Sequence, residues 1–161
     1  RGVTAFFFNP NIQPTKEYQL RFEAMKEVSR RVQAPLIEDH TGFDEWNSLI
    51  TGHISEPEGG QRCLNCIRFR LSQTFRKAQE LGFQSVATTL TVSRHKNSRK
   101  ILAIGHELSD QYGIGFHDQD FKKKNGTLFS DRLSREWDLY RQKYCGCTAS
   151  RLEREKPVSH R

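Results

Sequence analysis

Four cysteines are the residues of this chain whose spacing points to chemistry. Cys63 and Cys66 form a C-x-x-C within EPEGGQRCLNCIRFRL, and Cys145 and Cys147 form a C-x-C within LYRQKYCGC; the 161 residues hold no other cysteine. Thiols this close chelate one metal, reach adjacent irons of a cluster, or exchange two electrons as a dithiol–disulfide couple. On a helix beginning near Arg62, Cys63 and Cys66 stand at i and i+3 on one face. The positive end of that helix, with Arg62 and Arg68 close in sequence, favours thiolate. Gly146 permits a tight turn between Cys145 and Cys147, and a disulfide across so small a ring is strained and easily reduced. Two such pairs also suffice for a structural zinc site with four cysteine ligands. The bland alternative for Cys63 and Cys66 is a pair of small buried residues on a core face.

A second constellation is the segment Thr88-Thr89-Leu90-Thr91-Val92-Ser93-Arg94-His95-Lys96, which places hydroxyl, imidazole and ammonium groups at a strand end. Ser93, Lys96 and loop amides all donate hydrogen bonds, which suits a phosphate or another anion, and His95 stays a candidate although a lone loop histidine is more often a solvated residue than a catalyst. Arg94, Lys96, Arg99 and Lys100 crowd this segment, and Lys122, Lys123 and Lys124 form a second basic run. Lys and Arg outnumber Asp and Glu by 26 to 19, giving a net charge of +7. This balance is compatible with an RNA or phosphate partner. Either cluster by itself is equally well read as a solvated surface. There is no G-x-x-x-x-G-K-[ST] and no G-x-G-x-x-G, which argues against the common ATP-driven and dinucleotide-dependent classes.

The elements that must position these groups follow from periodicity. Val3 to Phe8 reads as a buried strand ending at Asn9-Pro10-Asn11. From Thr15, Tyr18, Phe22, Met25, Val28 and Val32 recur at helical spacing. Pro35–Asp39 predicts a second strand and Phe43–Ile50 a short helix stopped at Thr51-Gly52. Ile67, Leu71, Phe75 and Ala78 mark a helix ending at Gly82, and Ser85–Leu90 a third strand. Ile101, Ile104, Leu108 and Tyr112 give a further amphipathic helix, followed by a short Gly115–His117 strand and a helix over Leu128–Gln142. Alternation of strands and helices predicts a parallel, three-layer α/β sheet, with ligands beyond the carboxyl ends of its strands. One domain over 1–147 and a charged, mobile tail over 148–161 are expected.

The hydrophobic residues are 35% of the chain, and no run of about eighteen apolar residues predicts a transmembrane helix. RGVTAFFFNP is a poor secretory signal, so a cytoplasmic protein is expected, where paired cysteines serve metal or redox roles more often than structural disulfides.

FFFNPNIQP followed by EY, EPEGGQRCLNC, TTLTVSRHK, DFKKKNG and LYRQKYCGC occur in one order, and together they resemble the epoxyqueuosine reductase family of the QueH type. The resemblance covers residues 3–147. It implies a Rossmann-like (HUP-like) α/β fold and reduction of the epoxide of epoxyqueuosine at the tRNA wobble position, the last step in making queuosine. It further implies a [4Fe-4S] cluster with Cys63 and Cys66 as ligands, admits an additional iron, and makes Cys145 and Cys147 a redox-active pair. Its partners are a tRNA anticodon loop and an electron donor, with Ser93, His95, Lys96, Arg141, Gln142, Lys122 and Lys123 toward the tRNA. Two departures stand out. Arg94 occupies a position where proline is usual, and no Cys-Cys segment accompanies the first strand present, as if the family's own first strand were missing. The competing expectation is an RNA-binding module without catalysis, stabilised by zinc on all four cysteines.

Overall fold

In the computed structural model, residues 2–156 are described. The chain divides into two compact units, Arg1–Glu58 with Leu139–Arg161 and Gly59–Asp138. The architecture is α/β with short parallel strands, as expected for a Rossmann-like fold, and the strands form two two-stranded sheets.

The first unit opens with strand β1 (Ala5–Phe8), helix α1 (Thr15–Val32) and strand β2 (Leu36–Asp39), a parallel β-α-β crossover that pairs Ala5 with Leu36 and Phe8 with Asp39. Phe7 packs its ring against Tyr18 and Phe22 of α1, both at 5.3 Å between centroids. The helical spacing of these aromatics is thus what lays α1 onto the strand. Helix α2 (Phe43–Thr51) follows and buries Trp46 and Ile50.

The second unit repeats the logic. Helix α3 (Gln61–Glu80) leads into strand β3 (Ser85–Ala87), helix α4 (Ser98–Tyr112) and strand β4 (Gly115–His117), which pairs in parallel with β3. A three-residue ladder contributes little, because each net hydrogen bond is worth about 0.5–1.5 kcal/mol. The core dominates: Ile67, Leu71, Phe75 and Ala78 of α3 meet Val86, Ile101, Ile104, Leu108 and Ile114, at about 1.5–3 kcal/mol for each large side chain. Gly105 lets α4 approach β4, since a Cβ there would lie 2.2 Å from the Phe116 ring.

Three expectations need correction. The third strand stops at Ala87 rather than Leu90, because the Thr88 side chain accepts the Leu90 N–H and opens a 3-10 turn over Thr89–Val92. The helix expected over 128–142 is α5 (Gly126–Glu136), and Asp138, with φ of 50°, turns the chain away after Trp137. Part of the expected tail is helix α6 (Thr148–Glu155), capped by Cys147 and anchored by Ser150, which is 1% exposed. The last five residues of that tail, 157–161, lie outside the described residues. Among the described residues no helix is long and apolar enough to cross a membrane.

Candidate active site: two thiol pairs and a basic loop cluster

Cys63 and Cys66 lie in the first turns of α3, half-buried and free of disulfides. Gly59 adopts φ of +94° before the helix, and its N–H donates to Cys63 Sγ at 3.2 Å. Arg62 beside Cys63 is 2% exposed, whereas Arg68 is on the surface and pairs with Glu107. The donor set therefore fits a soft, thiolate-bound metal or cluster in kind, and in number supplies two ligands. No group of three or more His, Cys, Asp or Glu side chains that could hold a metal ion is gathered among the described residues.

Neither Cys145 nor Cys147 is in a disulfide; the first is half-buried and the second buried. Their turn is fastened to the start of the chain by a network that sequence reasoning did not anticipate. Arg21 donates to the carbonyls of Cys145 at 2.7 Å and Tyr144 at 3.0 Å, and its Nε meets Glu17 at 2.7 Å. Tyr140 donates its hydroxyl to the other Glu17 oxygen at 2.6 Å, and Tyr144 donates to the Gln13 carbonyl. The Gln13 N–H in turn donates to the Gly146 carbonyl at 2.9 Å. The Tyr140 phenol is held above its ordinary pKa first by its bond to Glu17, and that of Tyr144 first by burial, so both remain neutral donors at physiological pH. The Glu17–Arg21 spacing of four on a helix was the available signal for this clamp.

Gly146 is the narrow point of the turn. Its φ is +145°, and a Cβ there would lie 2.8 Å from Asn11 Nδ2 and 3.2 Å from the Ile12 side chain. Asn11 is 1% exposed. Gly146→Ala is therefore expected to destabilise the fold by at least about 2 kcal/mol, from backbone strain of roughly 1–3 kcal/mol with overpacking added. Urea unfolding measures this, and an alanine variant with wild-type stability would contradict it.

The basic candidates converge in the second unit, at the carboxyl ends of β3 and β4, where parallel sheets place ligands. Thr91, fully buried, donates to the Gln119 carbonyl at 3.1 Å and accepts the Phe121 N–H at 3.2 Å. Ser98 donates to Asp120 at 3.0 Å, and Lys122 Nζ donates to the Lys96 carbonyl. These bonds join the loop carrying Ser93, His95 and Lys96 to the loop carrying Lys122 and Lys123, two runs separate in sequence. His95 is exposed, and Arg94 reaches Asp131 at 2.6 Å. Arg141 and Gln142 are exposed in the first unit, on the segment leading to Cys145.

The fold is α/β, with parallel β-α-β units and two close cysteine pairs, none of the four in a disulfide. The sequence model of the family described as epoxyqueuosine reductase QueH matches residues 1–153, and the chain belongs to that family. A protein named epoxyqueuosine reductase QueH from Thermotoga maritima is 36% identical over 159 residues, 97% of this chain and 83% of its own length. Proteins of the same name from Streptococcus pyogenes and Acinetobacter baylyi are 38% and 34% identical over 90% of this chain. The chain spans 59% of the streptococcal protein and 67% of the Acinetobacter one.

Proposed function

We propose that this chain reduces epoxyqueuosine to queuosine at the wobble position of tRNA. The observation that carries this reading is the family match over residues 1–153, which includes both cysteine pairs. Loss of the epoxide oxygen as water consumes two electrons and two protons and leaves an alkene. The Cys145–Cys147 dithiol releases the same two electrons and two protons when it closes to a disulfide, which an external electron donor must then reopen. Cys63 and Cys66 would be two of the ligands of a [4Fe-4S] cluster, which when bound supplies low-potential single electrons. Arg21, Glu17 and Tyr140 hold the Cys145 turn so that the thiol pair meets substrate in one geometry. The reading is tested by anaerobic assay of the iron-loaded chain on tRNA carrying epoxyqueuosine. Conversion to queuosine supports it, whereas a colourless protein that binds zinc and RNA without converting the nucleoside favours the four-cysteine zinc module.

The tRNA side of the reading rests on the basic loops. Lys96 and Lys123 are the informative pair to neutralise, because Lys122 already serves the fold through its bond to the Lys96 carbonyl. Lys96→Ala with Lys123→Ala is expected to weaken tRNA binding and to lower the log–log salt slope by about 0.7–0.9 for each phosphate no longer neutralised. Unchanged affinity and slope would return both lysines to solvated surface.

A further inference from the structure

We propose that Ser150 is a positioning residue that holds the Cys145–Cys147 pair in its dithiol form, with Glu58 fixing its hydroxyl. Ser150 bonds to both cysteines. Its amide donates to Cys147 Sγ at 3.4 Å, and its Oγ accepts the Cys145 N–H at 3.1 Å. The hydroxyl hydrogen goes to Glu58 Oε2 at 3.1 Å, and Glu58 is itself tied to α6 by its N–H on Glu153 at 3.2 Å. On the other side Arg21 Nη1 holds the Cys145 carbonyl. Both peptide groups of Cys145 are thereby fixed.

A disulfide across a single glycine confines those peptides to the few arrangements that bring the Cβ atoms within about 3.5–4.5 Å at a near-perpendicular S–S torsion. The bonds from Ser150 and Arg21 instead fix them as they stand with both thiols reduced. A disulfide sulfur is also a poorer acceptor for the Ser150 amide than a thiol or thiolate. Contacts that favour the reduced pair make its disulfide the stronger oxidant, readily reopened by a donor. Ser150 is 1% exposed, so no solvent competes for these bonds.

The test needs no tRNA, so a failure of the epoxide reading leaves it standing. The full chain is equilibrated anaerobically with reduced and oxidised glutathione. Two protein thiols and one oxidised glutathione then give one protein disulfide and two reduced glutathiones. Acid trapping, differential alkylation and mass spectrometry of the peptide holding Cys145 and Cys147 read the oxidised fraction. Ser150→Ala is expected to reach half-oxidation at a ratio of squared reduced to oxidised glutathione about tenfold higher than wild type, equivalent to about 30 mV for this two-electron couple. Ser150→Thr, which keeps a hydroxyl, is expected within about twofold of wild type. Should Ser150→Ala fail to fold, Glu58→Leu is expected to shift in the same direction and Glu58→Gln, which keeps an acceptor oxygen, to stay near wild type. Wild-type titration of Ser150→Ala, or of Glu58→Leu where the alanine variant is not folded, overturns the proposal. So does an equal shift in Ser150→Thr, which would assign the effect to packing.

Discussion

Cys145→Ser is expected to stop turnover while leaving iron content near that of wild type. The half-buried Cys145 is the more accessible thiol of its pair, and Cys147 is buried at the start of α6 with the Ser150 amide on its sulfur. Serine at 145 preserves the backbone bonds to Arg21 and Ser150, because both go to main-chain atoms. On the proposed reading the variant removes the two-electron couple while keeping those main-chain bonds. Epoxide reduction should fall by on the order of a thousandfold or more, the scale of losing one member of a group that acts as a unit. Iron analysis of the same anaerobic preparation supplies the control. A variant that loses its iron would place Cys145 among the metal ligands and point to a four-cysteine site instead of a separate redox pair.

The sequence was most legible where structure is local. Helix α1 runs from Thr15 to Val32 as its aromatic and aliphatic spacing predicts, and the C-x-x-C falls in the first turns of α3 as its i, i+3 geometry requires. Misreadings arose where one side chain redirects the backbone. Thr88 has high strand propensity, yet its hydroxyl accepts an N–H two residues on and ends the strand. Helix α6 was missed because it has almost no apolar face; it is secured by Cys147 as cap, by buried Ser150 and by the weak Arg151–Glu155 pair at 3.9 Å.

The candidate site divides the same way. Both thiol pairs are visible because their members are neighbours in the chain. The clamp around Cys145 is not, because Arg21 and Cys145 are 124 positions apart and Ser150 and Glu58 are 92 apart. A single chain carries no signal that pairs residues at such separations; only the i, i+4 partnership of Glu17 with Arg21 was open to inspection, and it reads equally as surface helix support. Burial decides between the two: the Glu17 and Arg21 side chains are 9% and 10% exposed, so their bonds to Tyr140 and to the Cys145 carbonyl carry weight that a solvated pair would not.

Cys63→Ser and Cys66→Ser are each expected to reduce iron and sulfide loading to background. Serine is nearly isosteric with cysteine and its hydroxyl can still accept the Gly59 N–H that now meets Cys63 Sγ, so the start of α3 should persist. What is lost is a soft sulfur donor, replaced by a hard alcohol oxygen that binds iron and zinc poorly. On the proposed reading this helix contributes two sulfur ligands, so either substitution removes half of that contribution and leaves a bound metal open to competing water. Far-UV circular dichroism separates this effect from unfolding, since a folded chain without iron is the expected outcome. The core contacts around Phe75 involve neither sulfur, so the unfolding free energy should stay within about 1 kcal/mol of the metal-free wild type. Stoichiometric iron and sulfide in both folded variants would remove Cys63 and Cys66 from the ligand set, and stoichiometric zinc in a colourless wild-type chain would replace the cluster with a structural site.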